Sequence, residues 1–371
     1  MLRTINFQIP HDDTIIRTLE MSVSAYNMAC RIGFEHKVKN RNELHHLCYR
    51  KICERYPELP TDLVCQQLGR ALESLRAVKF KRCPIGKLLS ARYSKSSCTL
   101  FSTTNVMSVA TVDGRRKFDV NLPKWAKDRY DGWKFKNITM THKKGRTMVH
   151  FVIEHDDPPK APINSIVGID RGIVNIATCS NNKFYNSKHL KKVKGRYQHL
   201  HSVLQSVGTP SAKRKLKRVS ERERRFVNDT NHCIAKMIVN MPFDAFVLEN
   251  LKKLKKRDKG RRFNAKLGGW SYYDLQTKIE YKANAVGKTV LYVNPAYTSQ
   301  RCSRCGHTEK SNRHGSVFKC KECGFELNAD LNASRNIADR GKLLLAGCLQ
   351  PTECIGVATS DTIPQPCAGG S

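Results

Sequence analysis

Three acidic residues constrain the fold of this chain more than anything else in it. Asp170 ends the apolar run Ile166-Val167-Gly168-Ile169, Glu249 ends Ala245-Phe246-Val247-Leu248, and Asp330 opens an apolar stretch from Leu331 to Ala338. The first two runs are short and bounded, as buried strands are, and the third reads as a helix. A tight Arg171-Gly172 turn after Asp170 leads into a second strand, Ile173 to Thr178. A carboxylate that closes an apolar strand is costly to bury unless something pairs with it. Three converging on one point would repel, and divalent cations relieve that repulsion. The pattern is that of a two-metal nuclease centre, with hard oxygen ligands holding Mg²⁺ on either side of a phosphate. Taken singly, each acid reads first as a solvated strand end or a helix cap. The three together, with the features below, favour the metal centre.

Charge narrows the choice of partner. Of 371 residues, 66 are Lys or Arg and 32 are Asp or Glu, a formal net charge of +34. Solubility needs far less, so the excess implies a polyanion, nucleic acid before an anionic membrane surface. The basic residues come in runs. Lys191 to Arg225 includes Lys213, Arg214, Lys217 and Arg218, and Lys252 to Arg262 includes Lys252, Lys253, Lys255 and Lys256. Both runs flank the acids in sequence with few acids to balance them, which favours phosphate contact over a merely solvated face. Trp270, Tyr272 and Tyr273 follow the second run; they suit base stacking, or more plainly packing in a helix core. No apolar run approaches the ~20 residues of a membrane span. The start, MLRTINFQIPHDD, lacks the apolar stretch of a secretory signal. The expectation is a cytoplasmic, nucleoid-associated protein with no membrane partner.

Cys302-Ser303-Arg304-Cys305 and Cys320-Lys321-Glu322-Cys323 are two knuckles, each followed by a glycine (Gly306, Gly324) that lets the backbone turn around the sulfurs. Four thiolates at this spacing suit tetrahedral Zn²⁺ in a closed structural site, with no open position for catalysis. His307 and His314 are spare ligands nearby, more readily taken as surface residues, and a redox disulfide pair is the alternative use of the thiols. The other cysteines among the fifteen are scattered, which fits a reducing compartment rather than a disulfide framework. Because the ribbon ends just before Asp330, folding it helps to fix the third acid.

The remaining pattern predicts two or three domains. Residues 2–9 alternate as a strand, and residues 12–95 read as three helices, one starting after Pro60 with Thr61 able to cap it. Val106–Val112 and Lys117–Leu122 around an Asp113-Gly114 turn read as a hairpin, as do Lys134–Thr141 and Thr147–Ile153 around Lys143-Lys144-Gly145. This suggests a small barrel (1–10 and 97–160) interrupted by a helical domain (11–96). An Asp/Pro linker follows, and from residue 165 strands and long basic helices alternate as an α/β layer fold. The stretch 346–371, rich in Pro, Gly, Ser and Thr, is expected to be disordered.

These residues carry a family pattern. GIDRGIVNIAT, VLENL, the segment from Trp270 to Tyr281 with its EYKA ending, NPAYTSQRCSRCG, KCKECG and ADLNASRNIA occur in order between residues 165 and 340. The chain thereby resembles the TnpB family, the OrfB-type proteins of insertion sequences related to type V CRISPR effectors. The resemblance implies an RNA-guided DNA endonuclease of a transposable element. It implies an RNase H-like RuvC domain (165–297 and 325–345) bearing Asp170, Glu249 and Asp330 as catalytic metal ligands, with an inserted target-binding zinc ribbon (298–324). It makes the barrel a wedge domain and the helices a recognition domain, with a guide RNA from the element and double-stranded target DNA as partners. It also implies a basic residue near the ribbon at the scissile phosphate, for which Arg301 and Arg304 are candidates, and a supporting role for Asn332 behind the metal. A catalytically silent guided or transposition-regulating DNA-binding protein is the alternative; an intact acidic triad argues against it.

Overall fold

The computed structural model describes residues 2–101, 105–120, 134–251 and 272–347. The chain divides into two compact units, Met1–Asp156 and Asp157–Ser371. Among the described residues no helix is long and apolar enough to cross a membrane.

In the first unit, β1 (Leu2–Ile9) buries Ile5, Phe7 and Ile9 and turns Thr4, Asn6 and Gln8 outward, as the period-2 pattern requires. Helices α1 (Asp13–Glu35), α2 (Arg41–Arg55) and α3 (Thr61–Ala77) follow. Asp12 and Asn40 cap the first two by accepting from Ile15 N and Asn42 N. Thr61 caps nothing: it is the first helical residue, and Pro60 precedes it without a side-chain bond. The helical run also ends at Ala77 rather than near residue 95. Lys79 and Phe80 take positive φ, which stops the helix. Leu89–Tyr93 then forms β2, pinned to α3 by Arg70, which donates to Ser90 O and Ser90 Oγ at 3.0 Å each.

The antiparallel sheet runs β1-β7-β6-β2, with β6 (Lys134–Lys143) and β7 (Arg146–Glu154). Their turn is the two residues Lys144-Gly145, both at positive φ, whose twist matches the flanking strands. A second sheet, β3-β4-β5, holds Cys98–Phe101, Val106–Thr111 and Gly114–Asp119. Here Gly114 pairs with Thr111, so the turn is Val112-Asp113, one residue earlier than expected. Among the described residues no ladder joins the two sheets into a barrel.

The second unit is built on a five-stranded sheet ordered β10-β9-β8-β11-β12. Strands β8 (Ile166–Asp170), β11 (Ala245–Glu249) and β12 (Thr289–Val293) are parallel. Strand β9 (Asn175–Cys179) runs antiparallel to β8, and β10 (Phe184–Asn186) antiparallel to β9. β9 starts two residues later than expected, because Gly172 N bonds Asn175 O and closes a wider turn. A basic helical hairpin, α4 (Lys188–Val207) and α5 (Pro210–Val239), joins β10 to β11. Helix α6 (Tyr272–Asn284) precedes β12. Short strands β13 (Arg313–His314), β14 (Val317–Lys319) and β15 (Glu326–Asn328) form the ribbon, and α7 (Ala329–Leu345) closes the unit, longer than the apolar stretch suggested.

Both faces of the central strands are covered, hence their unbroken apolar runs. Val167, Ile169, Phe246 and Leu248 pack against Ile234 and Ile238 of α5 and Leu275 and Ile279 of α6. Val247 and Val293 pack against Ile337 of α7. Helix α7 approaches β8 so closely that a Cβ on Gly168 would lie 2.1 Å from Ser334 O and 2.4 Å from Ala338 N. Gly168→Ala should therefore lift α7, costing at least the ~1–3 kcal/mol of an overpacked core. Thermal melts should show a drop of several degrees. Gly195→Ala on α4, where an added Cβ meets nothing, should melt at or above wild type; equal melting of the two variants would contradict this packing.

Candidate metal and nucleic-acid site

Strands β8 and β11 lie side by side and in register, with Ile169 opposite Leu248. Asp170 and Glu249 therefore leave the sheet together, on strands ~4.8 Å apart. Asp330 arrives from the other direction, in the first turn of α7. Asn328 caps that helix, its Oδ1 accepting from Asp330 N at 3.0 Å and Leu331 N at 3.2 Å. An acid here also complements the helix dipole.

The three carboxylates feel one another. Burial, then Glu249 and Asp330, push the Asp170 carboxyl up to about 7, against the pull of Arg313 and Arg171. Glu249 is raised chiefly by burial, offset by a hydrogen bond from Thr298 and by the charges of Arg171, Arg340 and Arg313. Thr298 Oγ1 donates to Glu249 Oε1 at 2.5 Å. Asp330 is 8% exposed; its Oδ1 pairs with Arg313 Nη2 at 3.0 Å and its Oδ2 accepts from Asn175 Nδ2 at 2.9 Å. Arg171, expected as a turn residue, is a buried strut: it donates to Gln276 Oε1 at 2.7 Å and to Glu249 O at 2.6 Å.

The ribbon repeats one local geometry twice. Gly306 N bonds Cys302 O and Gly324 N bonds Cys320 O; Cys302 N bonds His307 O and Cys320 N bonds Phe325 O. Both glycines sit at positive φ, which the tight turn requires. Arg304 N points at Cys302 Sγ and Cys323 N at Cys320 Sγ. The sulfurs of Cys302 and Cys323 are 3.7 Å apart and those of Cys305 and Cys320 3.6 Å. All four lie within 4.8 Å of one another, so they can surround one ion. Among the described residues they are the one group of three or more His, Cys, Asp or Glu with that mutual reach. His307 pairs with Glu309 at 3.2 Å and His314 is exposed.

The structure gives Asn332 a different task from the one expected. Its Oδ1 accepts from Ser303 N at 3.0 Å and its Nδ2 donates to Arg301 O at 2.7 Å. Asn336 Nδ2 donates to Arg301 O and Thr298 O. Both amides staple the ribbon's first knuckle to α7. Arg304 lies over the Phe325 ring. Of Arg301, Arg304 and Arg313, only Arg313 forms an ion pair with one of the acids. Sequence reading missed Arg313, Thr298 and Asn175; a polar Asn175 inside the apolar IVNIAT run is the one signal that could have found any of them. On α5, Lys213, Arg214, Lys217 and Arg218 are exposed. Lys252, Lys253, Lys255, Lys256 and Trp270 lie outside the described residues, as do 348–371 of the expected tail.

Two measurements test this geometry. Asp170 holds its proton more tightly folded than unfolded, so its contribution to stability is fully present below the ordinary carboxylate pKa. That contribution is lost as pH rises toward about 7, on the order of a few kcal/mol in all. In chelator, Asp170→Asn should therefore raise the melting temperature more at pH 8 than at pH 5; the same increment at both would sink the reading. Elemental analysis of reduced protein should find one zinc per chain, absent in Cys302→Ser and retained in Cys48→Ser.

Residues 150–257 match the family model described as a probable transposase, and residues 272–337 the model of the Cas12f1-like TNB domain. A CRISPR-associated endodeoxyribonuclease Cas12f1 of Sulfoacidibacillus thermotolerans is 48% identical over 118 residues, 30% of this chain and 27% of that protein. InsQ of Escherichia coli (strain K12), named as a candidate RNA-guided DNA endonuclease, is 31% identical over 234 residues, 57% of this chain and 58% of that one. A TnpB-like protein of Methanocaldococcus jannaschii is 36% identical over 126 residues, 33% of this chain and 56% of that one. The chain covers less than two thirds of each. A solved Cas12f1–sgRNA–target DNA complex superposes with a TM-score of 0.41 at 18% identity, over 92% of this chain and 100% of that one. Asp170 and Glu249 fall within the first matched segment, and Asp330 and the four cysteines within the second.

Proposed function

We propose that this chain is an RNA-guided DNA endonuclease that cuts target DNA beside a short flanking motif by Mg²⁺-dependent phosphodiester hydrolysis. The observation that carries the proposal is the meeting of three carboxylates at one end of the sheet, where burial and then the charges of Glu249 and Asp330 push Asp170 up to about 7, in a chain of net charge +34. Acids so placed fit hard cations that share carboxylate ligands. In this reading residues 165–297 and 325–345 form a RuvC-type nuclease domain, with 298–324 as an inserted zinc ribbon. Residues 1–10 and 97–160 act as the wedge barrel, and 11–96 as the recognition domain. The names of the relatives supply the activity: endodeoxyribonuclease, and RNA-guided.

Each residue then has a task. Asp170, Glu249 and Asp330 hold the cations. Bound there, Mg²⁺ supplies Lewis acidity at the phosphoryl oxygens and a water acidic enough to attack in line. Thr298 and Arg171 fix Glu249 through its side chain and its backbone carbonyl. Arg313, already at Asp330, is the guanidinium best placed to meet a phosphate entering the acidic cluster. The exposed Lys213, Arg214, Lys217 and Arg218 grip backbone phosphates. Base pairing with the guide supplies the target's sequence specificity, and protein contacts read only the short flanking motif.

The test is cleavage and binding measured side by side with the RNA that co-purifies. Asp170→Ala, Glu249→Ala and Asp330→Ala should each lower cleavage by at least ~100-fold, because one cation ligand and several kcal/mol of charge stabilisation are lost. Target binding should stay within about threefold of wild type, since it rests on the basic surface. Near-wild-type cutting by any one of them would remove that residue from the site. Cleavage of the same position after RNase treatment would refute guidance.

A further inference from the structure

Thr178 sits on β9 directly opposite Asp170 in the antiparallel ladder. Residues so paired project to the same face of a sheet, with Cβ atoms about 4.5–5.5 Å apart. The neighbouring rung agrees: Ile169 and Cys179 both lie in the core on the other face. The Asp170 face is the one α7 covers, since Gly168 two residues earlier abuts the α7 backbone. Thr178 is 1% exposed, and its Oγ1 is enclosed with no hydrogen-bond partner. An unpaired buried hydroxyl is destabilising, and a valine of the same shape would avoid that cost. Such a group in a folded protein calls for a reason.

The acids supply one. Thr298 donates to Glu249, and Arg313 and Asn175 donate to Asp330. Asn175 comes from the same strand as Thr178. Among the described residues no side chain donates to the Asp170 carboxylate. One acid without a donor and one hydroxyl without an acceptor thus face each other across a single rung. We propose that Thr178 is the positioning residue of Asp170: after a χ1 rotation its hydroxyl donates to the carboxylate and holds it in the orientation that binds a divalent cation. Thr298 is its counterpart at Glu249. The inference rests on the reading of the three acids as a cation site and deepens it.

The effect expected of a residue that orients a metal ligand is a ~10–100-fold change in affinity. The full chain, zinc-loaded and freed of nucleic acid in high salt, is titrated with Mn²⁺ and followed by electron paramagnetic resonance, with melting temperature measured in parallel. Thr178→Val should bind Mn²⁺ at least ~10-fold more weakly while melting at or above wild type, because an unpaired hydroxyl has been replaced by a methyl. Thr178→Ser should bind within about threefold of wild type, since the donor is kept. Should Thr178→Val fail to fold, Thr178→Ser against Thr178→Ala gives the same comparison, both lacking the methyl and only one the hydroxyl. If Asp170→Asn binds Mn²⁺ as wild type does, the cation site itself is refuted. If Asp170→Asn loses Mn²⁺ and Thr178→Val, or Thr178→Ala in its place, does not, Thr178 only packs and the present inference is overturned.

Discussion

The site depends on how closely the last helix lies against the two central strands. A Cβ at Gly168 would enter the α7 backbone, and one at Gly341 would stand 2.5 Å from Val247 Cγ2. Glycine at both places lets the helix axis drop onto β8 and β11. Only at that distance does the first turn of α7 set Asp330 beside Asp170 and Glu249, which come from the opposite side of the interface. The same helix carries Asn332 and Asn336, whose amides hold the backbone of Arg301 and Ser303. One packing contact therefore positions the third acid and anchors the ribbon together.

Gathering three carboxylates under a helix runs against solvation and against mutual repulsion. The fold relieves part of that locally. Arg171 is buried under the site and braced by Gln276, Arg313 pairs with Asp330, and Arg340 contributes its charge to Glu249. The relief is incomplete, as the elevated Asp170 shows. A fold selected for stability alone would place asparagine or valine at such a position.

Much of this was legible in the sequence because it is local. An acid ending an apolar four-residue run, or opening an apolar helix, can be read from neighbouring residues, and so can two CxxC-Gly knuckles. What could not be read is set by contacts distant in sequence. Asn175 reaches Asp330 across 155 positions and Thr298 reaches Glu249 across 49. Arg313 looked like any ribbon arginine until the β13–β14–β15 pairing turned it toward α7. Strand β2 was missed for the same reason: Leu89–Tyr93 is defined by its partner β6 and by Arg70, not by its own pattern. Asn332 reads in sequence as an amide near an acid, whereas its bonds in the fold go to the backbone of Ser303 and Arg301, 29 and 31 positions away.

The thiolate cluster and the acidic cluster differ in chemistry but are mechanically joined. Four thiolates suit a soft or borderline ion in a closed shell, whereas carboxylates suit hard ions. Between them runs a short path. Strand β14 leads back to Cys320 and pairs with β15, Val317 opposite Asn328. Asn328 ends β15 and caps α7, and the next residue but one is Asp330. Arg313, on β13 of the same small sheet, bonds that acid. A ribbon ordered by its thiolates thus fixes both the cap that aims Asp330 and the guanidinium that pairs with it. Loss of the thiolate cluster reaches the acids through Asn328 and Arg313, although none of the four sulfurs belongs to the acidic site.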